Sequence, residues 1–391
     1  TGIDITHHAF RKADADGTTR ILKIWDQTLD AEGSETVPGQ ISHPTISPTP
    51  TPLGYGVEYS RPQINATLTS SSPAVPVRHV DQDGHGTNVA GIAAGDGSEG
   101  GNCHGSYHYI GVATDADILI VRLWGLTEGD SNTLPSSSNA MIDAIRWILN
   151  EANNASQPVA INCSFGVFNE LKDGTSPDCV AIDQLLTSNS TGRAIVFAAG
   201  NDGDSRFHAQ ATLPVGPTDT LTLEFRIFPD DTESRDLVIV YSGSNIELKL
   251  QSPVGGANGL INFVTFGNSG NSTTANGSGT GSSVDISNTQ ADRISITITP
   301  PTGGNNMAGV WTLELRDSSS GPLVTTFDAY CLFGSSHDRK SPHFENHDIT
   351  RTTMLEEASG KESIAVGAYK VGGRLAVFSA RGPTIDLRVK P

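Results

Sequence analysis

Hydrophobic residues in the first half of the chain form short, nearly continuous runs. The runs cover residues 117–124, 159–164 and 194–199, and runs of this kind are typical of strands buried on both faces of a parallel sheet. A helix is predicted in each gap, because apolar residues recur there with helical spacing. These helices contain Met141, Ile145 and Ile148 in the first gap and Cys179 to Leu186 in the second. The alternation predicts an α/β fold with a doubly wound, mostly parallel sheet.

From about residue 205 to residue 345 the hydrophobic residues alternate with polar ones. Seven or eight such strands with glycine-rich turns predict an antiparallel β-sandwich or jelly roll. Residues 267–283 are too polar and glycine-rich to pack, so we expect a mobile loop there. The alternating positions are Leu221, Leu223, Phe225, Ile227, Ile246, Leu248, Leu250, Ile294, Ile296, Ile298, Trp311, Leu313 and Leu315.

The buried-strand pattern returns at residues 363–369, which makes the alternating region an insertion. Ligands of doubly wound sheets bind at the carboxyl ends of the strands. The residues that follow two of the predicted strands are therefore expected at one crevice. The predicted segments are 1–204 for the first part of the α/β domain, 205–345 for the inserted domain, and 346–391 for the continuation of the α/β domain.

The balance of charge and the composition exclude several partners. Lys and Arg number 25 against 43 Asp and Glu, which gives a net charge of −18, and this charge repels nucleic acid and anionic membranes. No run approaches the roughly 18 apolar residues of a membrane-spanning helix. The chain starts at Thr1 without a signal-like segment, so the sequence alone leaves the localisation open. The 4 cysteines are scattered, and we expect buried free thiols rather than a disulfide framework or a zinc site.

One histidine, His85, stands directly before a run of small residues in DGHGTNVAGIAAG, residues 83–95. A helix built from glycine and alanine passes close to neighbouring backbone, because no side chain larger than a methyl group intervenes. The positive end of the helix dipole disfavours an imidazolium at its start and so favours the neutral form that a general base needs. Taken alone, His85 fits a structural role equally well, and Asp81 and Asp83 also fit carboxylates that solvate the turn.

Five segments, in a fixed order, resemble motifs of the subtilisin-like serine peptidases, the subtilases. DGHGTNVAGI resembles the histidine motif of that family, and TGIDITHHAF resembles the residues after its catalytic aspartate. INCSFG resembles the substrate-lining strand, VFAAGND the oxyanion-hole segment, and SIAVGAY with FSARGPTIDLRVKP the stretch toward the nucleophile. The resemblance covers residues 1 to about 203 and about 346 to 391. It implies a serine endopeptidase with polypeptide substrates, an insertion found in only some relatives, and a secreted or cell-envelope location.

The resemblance also assigns the catalytic residues. It makes His85 the general base of a Ser-His-Asp triad and Asn201 the side-chain donor of the oxyanion hole. The order of the motifs places the aspartate and the serine of the triad outside residues 1–391, so this polypeptide alone is predicted not to cleave peptides. We assign Asp4 to local hydrogen bonding. The segment GTSP contains Ser176 and mimics the nucleophile motif, but it precedes the asparagine and fits a helix N-cap, so it is rejected.

The substrate-binding residues follow from the same resemblance. Ser164, Phe165 and Gly166 are expected to hold the substrate as an added strand through backbone groups. Ala199 and Gly200 form the opposite wall of the pocket for the P1 residue, the substrate residue on the N-terminal side of the cleaved bond. Small residues keep this wall thin, which favours a large apolar P1 side chain. Phe165 also fits ordinary core packing.

Two other functions and one metal stay open. The whole protein also fits a pseudopeptidase that binds peptides or a proenzyme without cleavage. The inserted domain fits a module that grips a carbohydrate or protein, although DDTESRD, residues 230–236, shows no aromatic platform or charge cluster. No cofactor is expected. Structural calcium suits the acidic balance, but DADG, residues 14–17, lacks the further ligands of a calcium loop, so no metal ligand is assigned.

Overall fold

The chain forms two compact units in the computed structural model. The first unit contains Thr1–Ser164 and Ala181–Ile195, and the second contains Phe165–Val180 and Val196–Pro391. The structure describes residues 1–12, 17–43, 47–101, 103–123, 137–167, 172–186, 191–214, 216, 218–229, 231, 234–242, 246–253, 260–266, 272–276, 283–290, 293–300, 307–317, 325–332 and 342–389.

The first unit contains a small mixed sheet. Strand β1 (Ile21–Asp26) lies at its centre and pairs in parallel with β5 and antiparallel with β4. Strands β2 and β3 form a separate antiparallel hairpin in the region where the prolines are frequent. The remaining strands of this unit are β2 (Gln40–His43), β3 (Ser47–Pro52), β4 (Val57–Ser60), β5 (Ile118–Arg122) and β6 (Val159–Cys163).

Three of the described helices lie in the first unit, and the start of the first one follows from its local sequence. Helix α1 (Arg61–Thr69) begins with a capping box, in which the Ser60 N–H donates to Gln63 Oε1 at 2.8 Å. Helix α2 is His85–Ala94. Helix α3 (Ser137–Asn154) contains the predicted apolar positions, and its Trp147 packs on Trp25 of β1 with ring centroids 5.9 Å apart. The buried side chains of α3 include Met141, Ile145 and Ile148.

One predicted strand differs from expectation in its burial, and the sheet of the first unit differs in its strand directions. Strands β5 and β6 lie where the apolar runs predict strands, but β6 is buried on one face only, because Ile161 and Cys163 are buried while Ala160 and Asn162 are exposed. The sheet is also mixed rather than mostly parallel, since β4 joins β1 in the antiparallel direction. A single doubly wound sheet is therefore too simple a description of the first unit.

The second half of the helix–strand alternation has residues in both units, and the second unit contains a parallel pair of strands. Helix α4 (Pro177–Leu185) begins after Ser176, whose Oγ accepts from the Cys179 N–H at 3.2 Å. Strand β7 (Arg193–Ala198) continues into the second unit, where its last residues pair in parallel with β19 (Ile364–Val366). The apolar run at 194–199 and the returning pattern at 363–369 thus predict neighbouring strands.

Two antiparallel sheets lie between β7 and β19. One has the strand order β13-β14-β15-β10-β17-β8, and the other β12-β11-β16-β9-β18. Side chains of both sheets share one hydrophobic core. The alternating residues predicted from the sequence are buried in it, except Leu221, which is partly buried and packs against it. The strands are β8 (His208–Thr212), β9 (Leu221–Ile227), β10 (Arg235–Ser242), β11 (Ile246–Gln251), β12 (Leu260–Phe266), β13 (Ser272–Asn276), β14 (Ser283–Gln290), β15 (Arg293–Thr299), β16 (Gly309–Asp317), β17 (Thr326–Leu332) and β18 (His343–Phe344).

Two sequence-based expectations need correction. The predicted mobile loop at 267–283 contains strand β13, which forms the edge of its sheet and pairs with β14; residues 267–271 and 277–282 lie outside the described part of the chain. The cysteines are free, but Cys103 is exposed whereas the other three are buried. An edge strand needs one neighbour only, so a polar segment such as β13 can form it.

Candidate functional site

His85 is the first residue of helix α2 and is exposed. The residue before it, Gly84, has a φ of +85°, a left-handed conformation that glycine adopts without strain. Two carboxylates hold the first turn: Asp83 accepts from the His85 N–H at 3.1 Å, and Asp81 accepts from the N–H groups of Gly84 and Thr87. Asp81 and Asp83 thus cap the helix that carries the histidine.

Asp81 is the stronger of the two caps. Its Oδ2 accepts from both the N–H and the hydroxyl of Thr87, at 2.8 and 2.7 Å. Burial raises the pKa of Asp81, but these hydrogen bonds outweigh burial and lower the pKa to about 2. The carboxylate therefore stays ionised over the neutral range and interacts favourably with the positive end of α2.

The loop Thr1 to Asp4 packs against the start of α2. The Gly86 N–H donates to Thr1 Oγ1 at 2.8 Å, and the Asp4 N–H donates to Thr87 Oγ1 at 2.8 Å. A Cβ on Gly86 would overlap the carbonyl oxygen of Gly2, so the loop approaches the helix too closely for any other residue. The small residues beside His85 therefore serve the close backbone contact that the sequence predicts.

Asp4 has the local role that the sequence suggests. Its Oδ1 accepts from the N–H and the hydroxyl of Thr6, at 2.8 and 2.6 Å. Both hydrogen bonds stay within one turn of the chain. Asp4 is thus a turn residue of the N-terminal loop.

Beneath this loop lies a buried hydrogen-bonded pair, Asp26 and His79, that the sequence analysis did not identify. Asp26 Oδ2 and His79 Nδ1 are 2.7 Å apart, and both side chains are fully buried. The Ile3 N–H donates to His79 Nε2 at 3.0 Å, so Nδ1 carries the proton that is shared with Asp26. Burial raises the pKa of Asp26, but the hydrogen bonds from His79 and Thr28 lower it, and the pKa lies below its usual value. The two partners are 53 residues apart, and no local motif signals their pairing.

A cavity of about 570 Å³ opens between the N-terminal loop and α2 in the first unit. Carboxylates of Asp4, Asp81 and Glu99 line it, together with several glycines of α2 and the following loop. Within the described part of the chain, no group of three or more His, Cys, Asp or Glu side chains is arranged to hold a metal ion. Residues 13–16, which include most of DADG, lie outside the described residues. Structural calcium therefore stays an untested expectation.

In the second unit, Ala199, Gly200 and Asn201 follow directly after β7. Gly200 has a φ of +114°, and its carbonyl accepts from the Ala380 N–H at 2.9 Å. The Ala199 N–H donates to the Val366 carbonyl of β19 at 2.8 Å. Backbone hydrogen bonds therefore fix the turn that carries Asn201, whose side chain is exposed.

Phe165 and Gly166 also lie in the second unit. The Phe165 ring packs edge-on against Phe197 of β7, with centroids 6.2 Å apart, which fits its alternative role in core packing. A Cβ on Gly166 would lie 2.9 Å from Leu355 Cδ1 and 2.6 Å from Glu357 Oε2. Gly166 therefore faces the segment that contains Leu355 and Glu357, which the sequence analysis did not assign to the site.

Glu357 is a buried carboxyl group in this segment. Its Oε2 accepts from the Val167 N–H at 3.1 Å, and the side chain is only 3% exposed. Burial raises the pKa of Glu357 to about 7. The carboxyl group thus binds the backbone directly after Gly166.

The predicted site residues fall into both units. His85 and Ser164 lie in the first unit, where Ser164 Oγ accepts from the Asn162 side-chain amide at 3.0 Å. The second unit contains the other five, which are Phe165, Gly166, Ala199, Gly200 and Asn201. The convergence of His85 with Asn201 therefore stays a prediction. Ser176 has the structural role that the sequence predicts, since its hydroxyl caps α4.

The chain matches the subtilase family over residues 1–328. It therefore belongs to the subtilase family, and the prediction of this family from the sequence is confirmed. No helix in the described part of the chain has the length and hydrophobicity needed to cross a membrane.

Several proteins are similar to this chain. Subtilisin-like protease 9 of Arthroderma otae is 29% identical over 166 residues, which cover 42% of this chain and 35% of that protein. Subtilisin-like protease PopC of Myxococcus xanthus is 31% identical over 155 residues, 37% of this chain and 28% of that protein. The matches span about a third of the length of these curated relatives.

A solved structure also shares the fold. The structure of the Clostridium perfringens CspB protease aligns with a TM-score of 0.73 at 23% identity, and the match covers 100% of this chain and 73% of that chain. An identity at this level is informative about fold only. The α/β class predicted from the sequence agrees with the family and with this neighbour.

Proposed function

We propose that this chain belongs to a serine endopeptidase in which His85 acts as the general base. The start of α2 supports this proposal most. His85 is the exposed first residue of the helix, and Asp81 and the close contact of Gly86 with the N-terminal loop fix the first turn. Membership of the subtilase family supports the same reaction.

The proposed reaction gives each residue a defined step. His85 takes the proton of the serine hydroxyl as that oxygen attacks the peptide carbonyl, and it returns the proton to the leaving amine. The side-chain amide of Asn201 donates a hydrogen bond to the oxyanion of the tetrahedral intermediate. The rigid turn at Gly200 supports this role, since a fixed donor needs no reorganisation during the reaction.

Substrate binding is proposed for the backbone of Ser164, Phe165 and Gly166, with Ala199 and Gly200 as the opposite wall. An extended peptide would add to the first segment as a strand. Polypeptides are thus the proposed partners, and a secreted or cell-envelope location is proposed from the family. We also propose that residues 205–345 form a β-sandwich inserted into the peptidase domain, which the two sheets with one shared core support.

Labelling of the intact protein with a fluorophosphonate probe tests the proposed activity. The probe reacts with a serine that a histidine activates, so the wild type should label and His85→Ala should not. His8→Ala serves as the matched control, because His8 is an exposed histidine of the same unit. Loss of labelling in both variants, or no labelling of the wild type, would contradict the proposal. Peptide binding without labelling would instead identify a pseudopeptidase.

The oxyanion role of Asn201 has its own kinetic signature. Asn201→Ala should lower kcat on a peptide substrate by about 10²–10³-fold, the range known for the corresponding donor of subtilisin, with little change in KM. A rise in KM without a fall in kcat would argue against this assignment.

A further inference from the structure

Leu355 occupies the space between the two proposed walls of the P1 pocket. Its side chain is 7% exposed. A Cβ on Gly166 would lie 2.9 Å from Leu355 Cδ1, and a Cβ on Gly200 would lie 3.2 Å from Leu355 Cγ. A Cβ on either glycine would therefore point toward the same isobutyl group, that of Leu355.

The backbone holds Leu355 in this position from both sides. The Leu355 N–H donates to the Ala199 carbonyl at 2.8 Å, and the Glu356 N–H donates to the Val167 carbonyl at 2.8 Å. Each wall thus contributes a backbone hydrogen bond to the segment between them. These bonds fix the backbone of Leu355, and with it the position of the Leu355 Cβ, between the two walls.

Further side chains fill the remaining space beside the glycines. Ala380 lies against Gly200, where a Cβ would approach its Cβ to 3.3 Å, and Ala380 is also bonded to Gly200 through the backbone. Glu357 Oε2 lies on the same side of Gly166 as Leu355. The glycines therefore face Leu355 and its neighbours, so a large P1 side chain that enters between the walls would meet the isobutyl group of Leu355.

We infer that Leu355 determines specificity and restricts the P1 residue to small side chains such as glycine, alanine and serine. This inference rests on the proposed peptidase function. It differs from the expectation of a large apolar P1 residue, because that expectation considered the two walls without the segment that lies between them.

The test measures kcat/KM of the intact protein on peptides that differ only at P1. With Ala, Ser, Gly, Leu, Phe and Lys at P1, the wild type should favour the three small residues over Phe by about 100-fold, since one excess methylene in a pocket already costs roughly 10–200-fold. Leu355→Gly should raise the ratio of Phe to Ala cleavage by about 100-fold. Leu355→Met preserves the volume and should keep the wild-type preference. Leu387→Ala, at an exposed leucine of the same unit, is the matched control.

The outcomes separate this inference from the proposed function. Preferential cleavage after Phe, Leu or Lys by the wild type overturns the inference alone, and this result does not depend on the folding of any variant. A Leu355→Gly variant that labels with the fluorophosphonate at the wild-type rate but keeps the wild-type P1 preference also overturns it. Absence of labelling and of hydrolysis for every peptide overturns the proposed function and the inference with it.

Discussion

Replacement of Asp26 by alanine tests the buried hydrogen-bonded pair of Asp26 and His79 beneath the N-terminal loop. Asp26 and His79 are 2.7 Å apart with both side chains 0% exposed. Asp26 also accepts from the N–H and the hydroxyl of Thr28, at 3.0 and 2.6 Å. The variant therefore leaves one buried imidazole and the two donors of Thr28 without their acceptor. A buried donor that loses its acceptor costs about 1–3 kcal/mol, and we expect the free energy of unfolding of the first unit to fall by about 3 kcal/mol in total.

Urea denaturation followed by tryptophan fluorescence measures this change. Trp25 precedes Asp26 in β1 and packs on Trp147, and both rings are buried, so their emission reports on the first unit. Asp30→Ala is the matched control, because Asp30 is an exposed aspartate of the same unit. A loss of less than about 1 kcal/mol in Asp26→Ala, as expected for an exposed pair, would refute the reasoning.

Two glycines of α2 and the buried Glu357 give further expected outcomes. Gly86→Ala should destabilise the protein by about 1–3 kcal/mol because its Cβ meets the backbone of the N-terminal loop, whereas Gly91→Ala, with open space around its Cβ, should stabilise it by up to about 1 kcal/mol. Thermal unfolding measures both, and equal shifts in Tm would contradict the close contact. The pKa of Glu357 is raised from 4.5 to about 7, so the folded state favours the protonated form. Ionisation of Glu357 in the folded state lowers the free energy of unfolding. This loss is absent below pH 4.5 and grows to about 3 kcal/mol above pH 7. Glu357→Gln should remove this loss of stability between pH 4.5 and 7, and an unchanged pH dependence in urea titrations would argue against it.

Much of the second unit could be predicted because alternation in sequence corresponds directly to burial in a strand. Strands β9, β11, β15 and β16 each bury every second residue, and these residues share one core. Strand β13 was missed because its residues, Ser-Thr-Thr-Ala-Asn, carry no apolar alternation. Its place at the sheet edge comes from pairing with β14, which is a tertiary property that the segment itself does not encode.

The candidate site was predictable only where it lies within one short motif. The start of α2, with His85, Gly86 and the carboxylate caps, is local in sequence, and DGHGT contains most of it. The pair of Asp26 with His79 and the packing of Leu355 on Gly166 join distant segments. Neither has a spacing that a single sequence reveals, since such contacts depend on the register in which strands and loops meet.

The position of Leu355 has a consequence for the order in which the protein is assembled. During synthesis the ribosome delivers Ala199 and Gly200 first, then both antiparallel sheets, and only afterwards the leucine that hydrogen bonds back to Ala199. Closing so long a loop is entropically costly and slow unless the intervening chain has already become compact. In a nascent chain the contacts of Leu355 with Ala199 and Gly200 therefore form only after the two sheets have folded.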